Sequence, residues 1–387
     1  MYQSASLPTK RRTQGPLAKC TSSVLLATCL FAGLAIPRNV TADEARNAAV
    51  RKLADRGIEF LMTRGQAENG AFSPESGSAV TSLCLAAILR HRPEAVNDPA
   101  IRKAIAFIES NFRPDGGVYV EGSLYKNYET CAAVDALIRA NVDGRYDSNL
   151  ERARLFIRGL QWDEGEGLTP EDPAYGGAGY GSKSRPDLSN TSFMIEALRQ
   201  LGDKPDDEAI QKALMFVSRT QNLEGYGNDT EHAGAVKDGG FYYTPAAGGS
   251  SQAGETATGG LRSYASMTYA GFKSMIYAGL TQDDPRVAAA LSFIRQNYSL
   301  ETNPGMGDAG LFYYYHTFAK ALAAGEIDIL DDASGKPHVW RDDLIKVLTE
   351  TQMEDGSWVN KSNERWMEGN RNLVTAYALL ALDYCKE

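Results

Sequence analysis

One pattern recurs six times along this 387-residue chain. An aromatic or apolar helix end runs into Gln or Asn, a turn follows, and a second helix opens near Thr, Ser or His. The polar anchors are Gln66, Asn111, Gln161, Gln221, Asn297 and Gln352; the second helices open near Thr81, Thr130, Thr191, Thr268, His316 and Thr375. From each opening to the next anchor the spacing is 30, 31, 30, 29 and 36 residues, whereas from anchor to opening it is 15, 19, 30, 47, 19 and 23. One half of the repeat is nearly constant and the other carries the insertions, as in a helical repeat array whose loops vary on one face.

The two helices of each repeat differ in kind. The first kind carries scattered charge and one apolar face, as in Ile101, Ile105 and Ile108, so it is amphipathic and half exposed. The second kind is apolar almost all round, as in Thr81 to Leu89 and Leu373 to Leu382, and is buried on both flanks. Six of each predict an all-α fold, an α/α toroid with six outer and six inner helices in two concentric rings. The chain opens on an outer helix and closes on an inner one, so its ends must meet. Gly70, Gly116, Gly165, Gly225 and Gly356 follow their anchors by four or five residues, where the chain reverses. The fifth repeat has Glu301 there instead. Residues 43–387 read as one domain, with enlarged, aromatic-studded loops at Trp162 to Asn190 and Asn222 to Ser266.

Residues 1–42 follow the plan of a secretory signal. Lys10, Arg11, Arg12 and Lys19 precede the apolar stretch Val24 to Ile36, and Val40-Thr41-Ala42 offers small residues for cleavage before Asp43. A periplasmic or secreted protein is expected, with no stable membrane span after signal removal, since the apolar stretch is short. The leader holds five of the 40 basic residues and none of the 49 acidic ones, which leaves −14 for the rest and disfavours nucleic acid as a partner. Cys84, Cys131 and Cys385 each lie in an apolar run and read as small core residues. No Cys-x-x-Cys or Cys/His cluster is present, so neither a metal nor another cofactor is expected. The sequence names no protein partner.

Gln352-Met-Glu-Asp-Gly-Ser-Trp358 is the sharpest motif, and Gln66-Ala-Glu-Asn-Gly-Ala-Phe72 is a fair second copy. Both resemble the Q-x-x-D-G-S-W repeat of squalene–hopene and oxidosqualene cyclases, a fold similar to that of protein prenyltransferase β-subunits. The resemblance implies a terpenoid-cyclase-like toroid with a central cavity that opens where the inner helices begin, the motifs clamping outer helices together. It also implies what is missing: the D-x-D-D motif that protonates squalene is absent, and Asp328 to Asp332 has the wrong spacing. Phe312 to Phe318 looks like the prenyltransferase segment that carries a zinc-binding His, at His316, but no Asp-x-Cys stands on the preceding inner helix.

If all inner helices start at one rim, their free N–H groups and dipoles favour an anionic group there. The candidates for ligand binding are Arg185, Asp187, Asn190, Arg262, Tyr264, Tyr314 and Tyr315. Asp187 or Asn190 could equally cap a helix, and Arg262 could be a solvated loop charge. The candidates for acid–base chemistry are His316, Lys320, Lys273 and Tyr269, because a Lys well inside an apolar helix needs water or a partner. The alternative is a structural network in which the lysines pair with Asp135 or Glu196 and His316 is a core residue. The leading expectation is an exported prenyltransferase- or squalene-cyclase-like repeat protein whose cavity takes an apolar, isoprenoid-like small molecule with an anionic end. The alternatives are a non-catalytic cell-envelope binding or scaffold module, or a glycan-processing toroid using Asp187 with Glu255 or Glu231.

Overall fold

The computed structural model describes residues 40–181 and 184–386. The expected leader lies outside the described residues except for 40–42, which open the first helix. Twelve α-helices of more than two turns follow one another in the described residues: α1 Val40–Phe60, α2 Ala79–His91, α3 Pro99–Glu109, α4 Lys126–Ala140, α5 Asp147–Arg158, α6 Leu188–Gln200, α7 Glu208–Arg219, α8 Ala265–Tyr277, α9 Pro285–Gln296, α10 Leu311–Ala324, α11 Trp340–Thr351 and α12 Arg371–Asp383. A two-residue hairpin, β1 Leu330–Asp331 and β2 Pro337–His338, decorates the α10–α11 connection. No described helix is long and apolar enough to cross a membrane.

The two kinds of helix sort as the periodicity predicts. Every residue of α2 from Ala79 to Leu89 is buried, as is α12 from Leu373 to Leu382. In α3 only Ile101, Ala104, Ile105 and Ile108 are buried, one face at the spacing of successive turns. The even-numbered helices pack against one another in a closed cycle, α2 on α4, α4 on α6, and so on to α12, which returns to α2. Odd-numbered helices lie outside, α3, α5 and α7 each touching the two even neighbours that flank it. This is an α/α toroid. Outer helices start from Asp caps: Asp98, Asp207 and Asp284 accept the N–H of Ala100, Ala209 and Arg286.

A repeated clamp holds the rings together, and it explains the motif. The side-chain amide of Gln66 donates to Gly70 O and to Ala100 O, at 2.9 and 2.8 Å. Gln161 does the same with Gly176 and Ala209, Gln221 with Gly239 and Arg286, and Gln352 with Gly356 and Leu53. Each Gln thus ties its own turn to a carbonyl of a neighbouring outer helix. On the inner side a Thr hydroxyl accepts the backbone N–H just past the turn: Thr81 from Phe72, Thr130 from Val118, Thr191 from Ala178, Thr268 from Phe241, Thr375 from Trp358.

Two glycine assignments need correction. The turn glycines of the third and fourth repeats are Gly176 and Gly239, not Gly165 and Gly225. In both repeats extra residues stand between anchor and turn glycine, and in the fourth more follow it, which spacing from the anchor cannot reveal. The correct glycines share a physical need: at Gly70, Gly116, Gly176, Gly239 and Gly356 φ is between +74° and +97°, and a Cβ would lie 1.9–2.6 Å from a carbonyl oxygen of an outer helix. The chain ends do meet. Arg56 of α1 donates to Gln352 Oε1 and to the carbonyls of Met353 and Glu354, and Gly57 packs under the Trp358 ring.

Candidate functional site

All six inner helices contribute their first turns to one cavity of about 760 Å³. A register rule governs the wall. The residue two positions before the clamping Thr faces the cavity in five repeats, as Ala79, Tyr128, Ser189, Ser266 and Leu373. In the fifth repeat that place is Tyr313, two before Tyr315. Here no Thr clamp exists. Tyr314 and Tyr315 hold the turn instead, donating their hydroxyls to Ser299 O and Leu300 O at 2.7 and 2.6 Å. His316 therefore stands one residue past the clamp position, and the fifth inner helix is in register with the others at Tyr315, not at His316.

The wall is aromatic with hydroxyls at its floor. Tyr128 meets Phe193 edge to face, and Tyr313 meets Tyr377 in the same way. The hydroxyls pair across helices, Tyr128 with Tyr377 at 3.0 Å and Ser189 with Tyr313 at 2.9 Å. The enlarged loops add Tyr180, Tyr243 and Tyr264. Leu124, Tyr125, Trp366 and Met367 line the mouth and stay 43–76 % exposed. Trp366 and Met367 hold left-handed backbone angles, φ 57° and 65°.

The inner-helix N-termini converge at this rim as expected, but the chain itself occupies many of their N–H groups. Asp187 takes Asn190 N, Asn370 takes Leu373 N, and Asn303 takes Ser266 N. Buried Glu368 accepts Phe312 N and Tyr313 N, both at 2.8 Å, where the cap residue Gly310 has no side chain to offer. Glu129 accepts the N–H and hydroxyl of Ser78 and the N–H of Val120. The rim is thus less open to anions than topology alone implies.

Of the residues singled out from the sequence, Asn190 and Tyr264 line the cavity. Asp187 caps α6 directly behind Asn190, whose amide also donates to it at 2.8 Å. Burial raises its carboxyl to about 6 in spite of hydrogen bonds from Asn190 and Tyr243. Arg185 is exposed and donates to Ser250 Oγ; Arg262 is exposed and donates to Glu255 O. Neither belongs to the wall. Glu231 and Glu255, the loosely proposed partners of Asp187, are also absent from it.

The acid–base candidates form a buried cluster outside the lining residues. Lys273 of α8 and Lys320 of α10 both donate to Glu196 of α6, the former at 2.8 Å. Burial pushes both lysines down to about 7. Asp135 instead serves Arg90, at 2.9 Å. His316 stacks on Tyr377 with centroids 5.8 Å apart, and burial, then Lys273, lowers it to about 3. Tyr269 packs between Tyr314 and Phe318. No group of three His, Cys, Asp or Glu side chains among the described residues is arranged to hold a metal.

Residues 60–245 match the family model of the squalene-hopene cyclase C-terminal domain. Over that stretch the chain is similar to the squalene-hopene cyclases. No curated protein matches it. Among solved structures it is similar to a variant of the type II terpene cyclase MstE from Scytonema in complex with geranylgeranyl dihydroxybenzoate, at 14% identity and TM-score 0.54, covering 89% of this chain and 99% of that one. The apo form of MstE gives 14% and 0.52, with 87% and 97% covered. A family 76 glycoside hydrolase from a bovine Bacteroides thetaiotaomicron strain gives 10% and 0.51, with 86% and 77% covered. At such identities the likeness is one of fold. The chain carries no D-x-D-D motif anywhere in its sequence.

The sequence left Tyr128, Ser189, Phe193, Tyr313 and Tyr377 unnoticed. The register was available to find most of them, since they stand two residues before or after the clamp position, but the clamp is visible only once its hydrogen bonds are.

Proposed function

We propose that this squalene-hopene cyclase-like protein is exported and binds an apolar, isoprenoid-like molecule in its central cavity. The observation that carries this reading is the cavity itself: about 760 Å³ of space lined from all six inner helices, with Tyr128, Phe193, Tyr313 and Tyr377 on four of them. Space of that size suits a ligand of many carbon atoms, and its aromatic faces suit a chain rich in double bonds. Asp187 is the group best placed to hold a proton beside the wall, because its burial favours the neutral carboxyl and it reaches the wall through Asn190 and Tyr243. The Lys273–Glu196–Lys320 cluster supports the frame from below. The test is mass spectrometry of an organic extract of the purified protein, together with thermal shifts on adding isoprenoid alcohols. Co-purifying lipid and a raised melting temperature are expected; empty extracts and no shift would count decisively against the reading. For export, the chain recovered outside the cytoplasm should begin at Asp43.

A second reading rests on the acids of the lip. Glu75, Glu121 and Glu129 all border the cavity, and aromatic rings also suit sugar faces. Release of reducing sugar from a glycan, lost on Glu121→Gln, would favour it over the first.

A further inference from the structure

We infer that the polar end of the ligand carries no negative charge. The cavity takes an apolar, isoprenoid-like chain ending in an uncharged hydrogen-bonding group such as a hydroxyl, and rejects the same chain ending in diphosphate. This rests on the apolar-ligand reading above and narrows it.

Three observations point the same way. Among the described residues, the cavity wall contains no Lys, Arg or His, whereas Glu75, Glu121 and Glu129 border it. Arg365, beside the mouth, is committed to Gln252 at 2.6 Å and lies over the face of Trp366. With no cation in the wall itself, an anion inside the cavity would have to rely on the helix N-termini. There the chain has placed its own carboxylates: Asp187 on α6, Glu368 on α10, and Glu129 at Ser78 before α2. A diphosphate would find those N–H groups already taken by the chain's own acceptors. The floor, finally, offers two hydroxyl pairs, Ser189–Tyr313 and Tyr128–Tyr377. A hydroxyl both donates and accepts, so such a pair can open to include a third hydroxyl without leaving a group unsatisfied.

The test compares geranylgeraniol with geranylgeranyl diphosphate, which share one chain, by titration against intrinsic tryptophan fluorescence at pH 7, Trp366 being the one of the four tryptophans that lines the cavity. The alcohol is expected to bind at least about tenfold more tightly. The double variant Glu75→Gln/Glu121→Gln, both on exposed loops, should shrink that ratio roughly threefold by relieving the lip's charge. A diphosphate that binds as well as the alcohol or better overturns the inference and leaves the isoprenoid reading standing. A ratio that the double variant does not move overturns it as well. If neither compound binds, the isoprenoid reading falls and takes this inference with it.

Discussion

Glu196 accepts hydrogen bonds from two buried lysines, Lys273 and Lys320, and substitutions in this cluster should be strongly unequal. Removing it leaves Lys273 and Lys320 buried without a counter-charge, so Glu196→Gln is expected to cost about 3–5 kcal/mol in denaturant unfolding. Lys273→Met leaves a one-to-one pair with Lys320 and replaces a buried charge by apolar bulk, so it should be close to neutral. Equal losses from the two substitutions would contradict the geometry. Asp187 gives a pH dependence with a definite sign. Its folded value, about 6, lies above the ordinary carboxylate value, so the folded chain holds a proton that the unfolded chain has lost. The stabilisation is complete below the unfolded value of 3.8 and disappears as pH rises through about 6. Asp187→Asn keeps an acceptor for the cap of α6 and removes the titration. Its stability relative to the unsubstituted chain should therefore improve by about 2 kcal/mol between pH 4 and pH 7; a difference that stays constant across that range would refute the assignment.

At the scale of the element, the clamp makes its own prediction. Gly176 and Gly122 have similar backbone angles, φ 82° and 79°, but a Cβ on Gly176 would meet Lys212 O at 1.9 Å, while one on Gly122 meets nothing within 4 Å. Gly122→Ala should therefore cost about 1 kcal/mol from backbone strain alone. Gly176→Ala has to displace α7 and should exceed about 3 kcal/mol by thermal or denaturant unfolding. Similar costs would mean that the turn does not touch the outer helix. The same element shows what could be read in advance. Which segments are helices, and which of them are buried, followed from apolar patterning, a local property. Gln anchors were visible as well, but their equivalence to Asn was not: the shorter side chains of Asn111 and Asn297 turn back to Phe107 O and Phe293 O of their own helices. One methylene separates a bond between helices from a bond within one.

The whole molecule is a closed ring, so its seam should matter as much as any interior joint. Arg56 ties α1 to the turn that follows α11 through three hydrogen bonds from a charged donor, two of them to backbone carbonyls. Arg56→Ala is expected to lower stability by about 2 kcal/mol and to speed amide exchange in α1 and α12 before other helices. Uniform acceleration around the ring would argue against a distinct seam. The sequence by itself determined the helical class, the alternation of half-exposed and buried helices, and the end of the repeat where loops accumulate, because each depends on residues a few turns apart. Only the tertiary structure decided which side chains face the cavity. The clamp register depends on hydrogen bonds between residues 9 to 27 positions apart, and insertions of variable length break any count along the chain. For the same reason the helices alone leave open whether the lysines face the cavity or pair with Asp135 or Glu196. The partner that claims both lysines, Glu196, is 77 and 124 residues away and reaches them only when the ring closes.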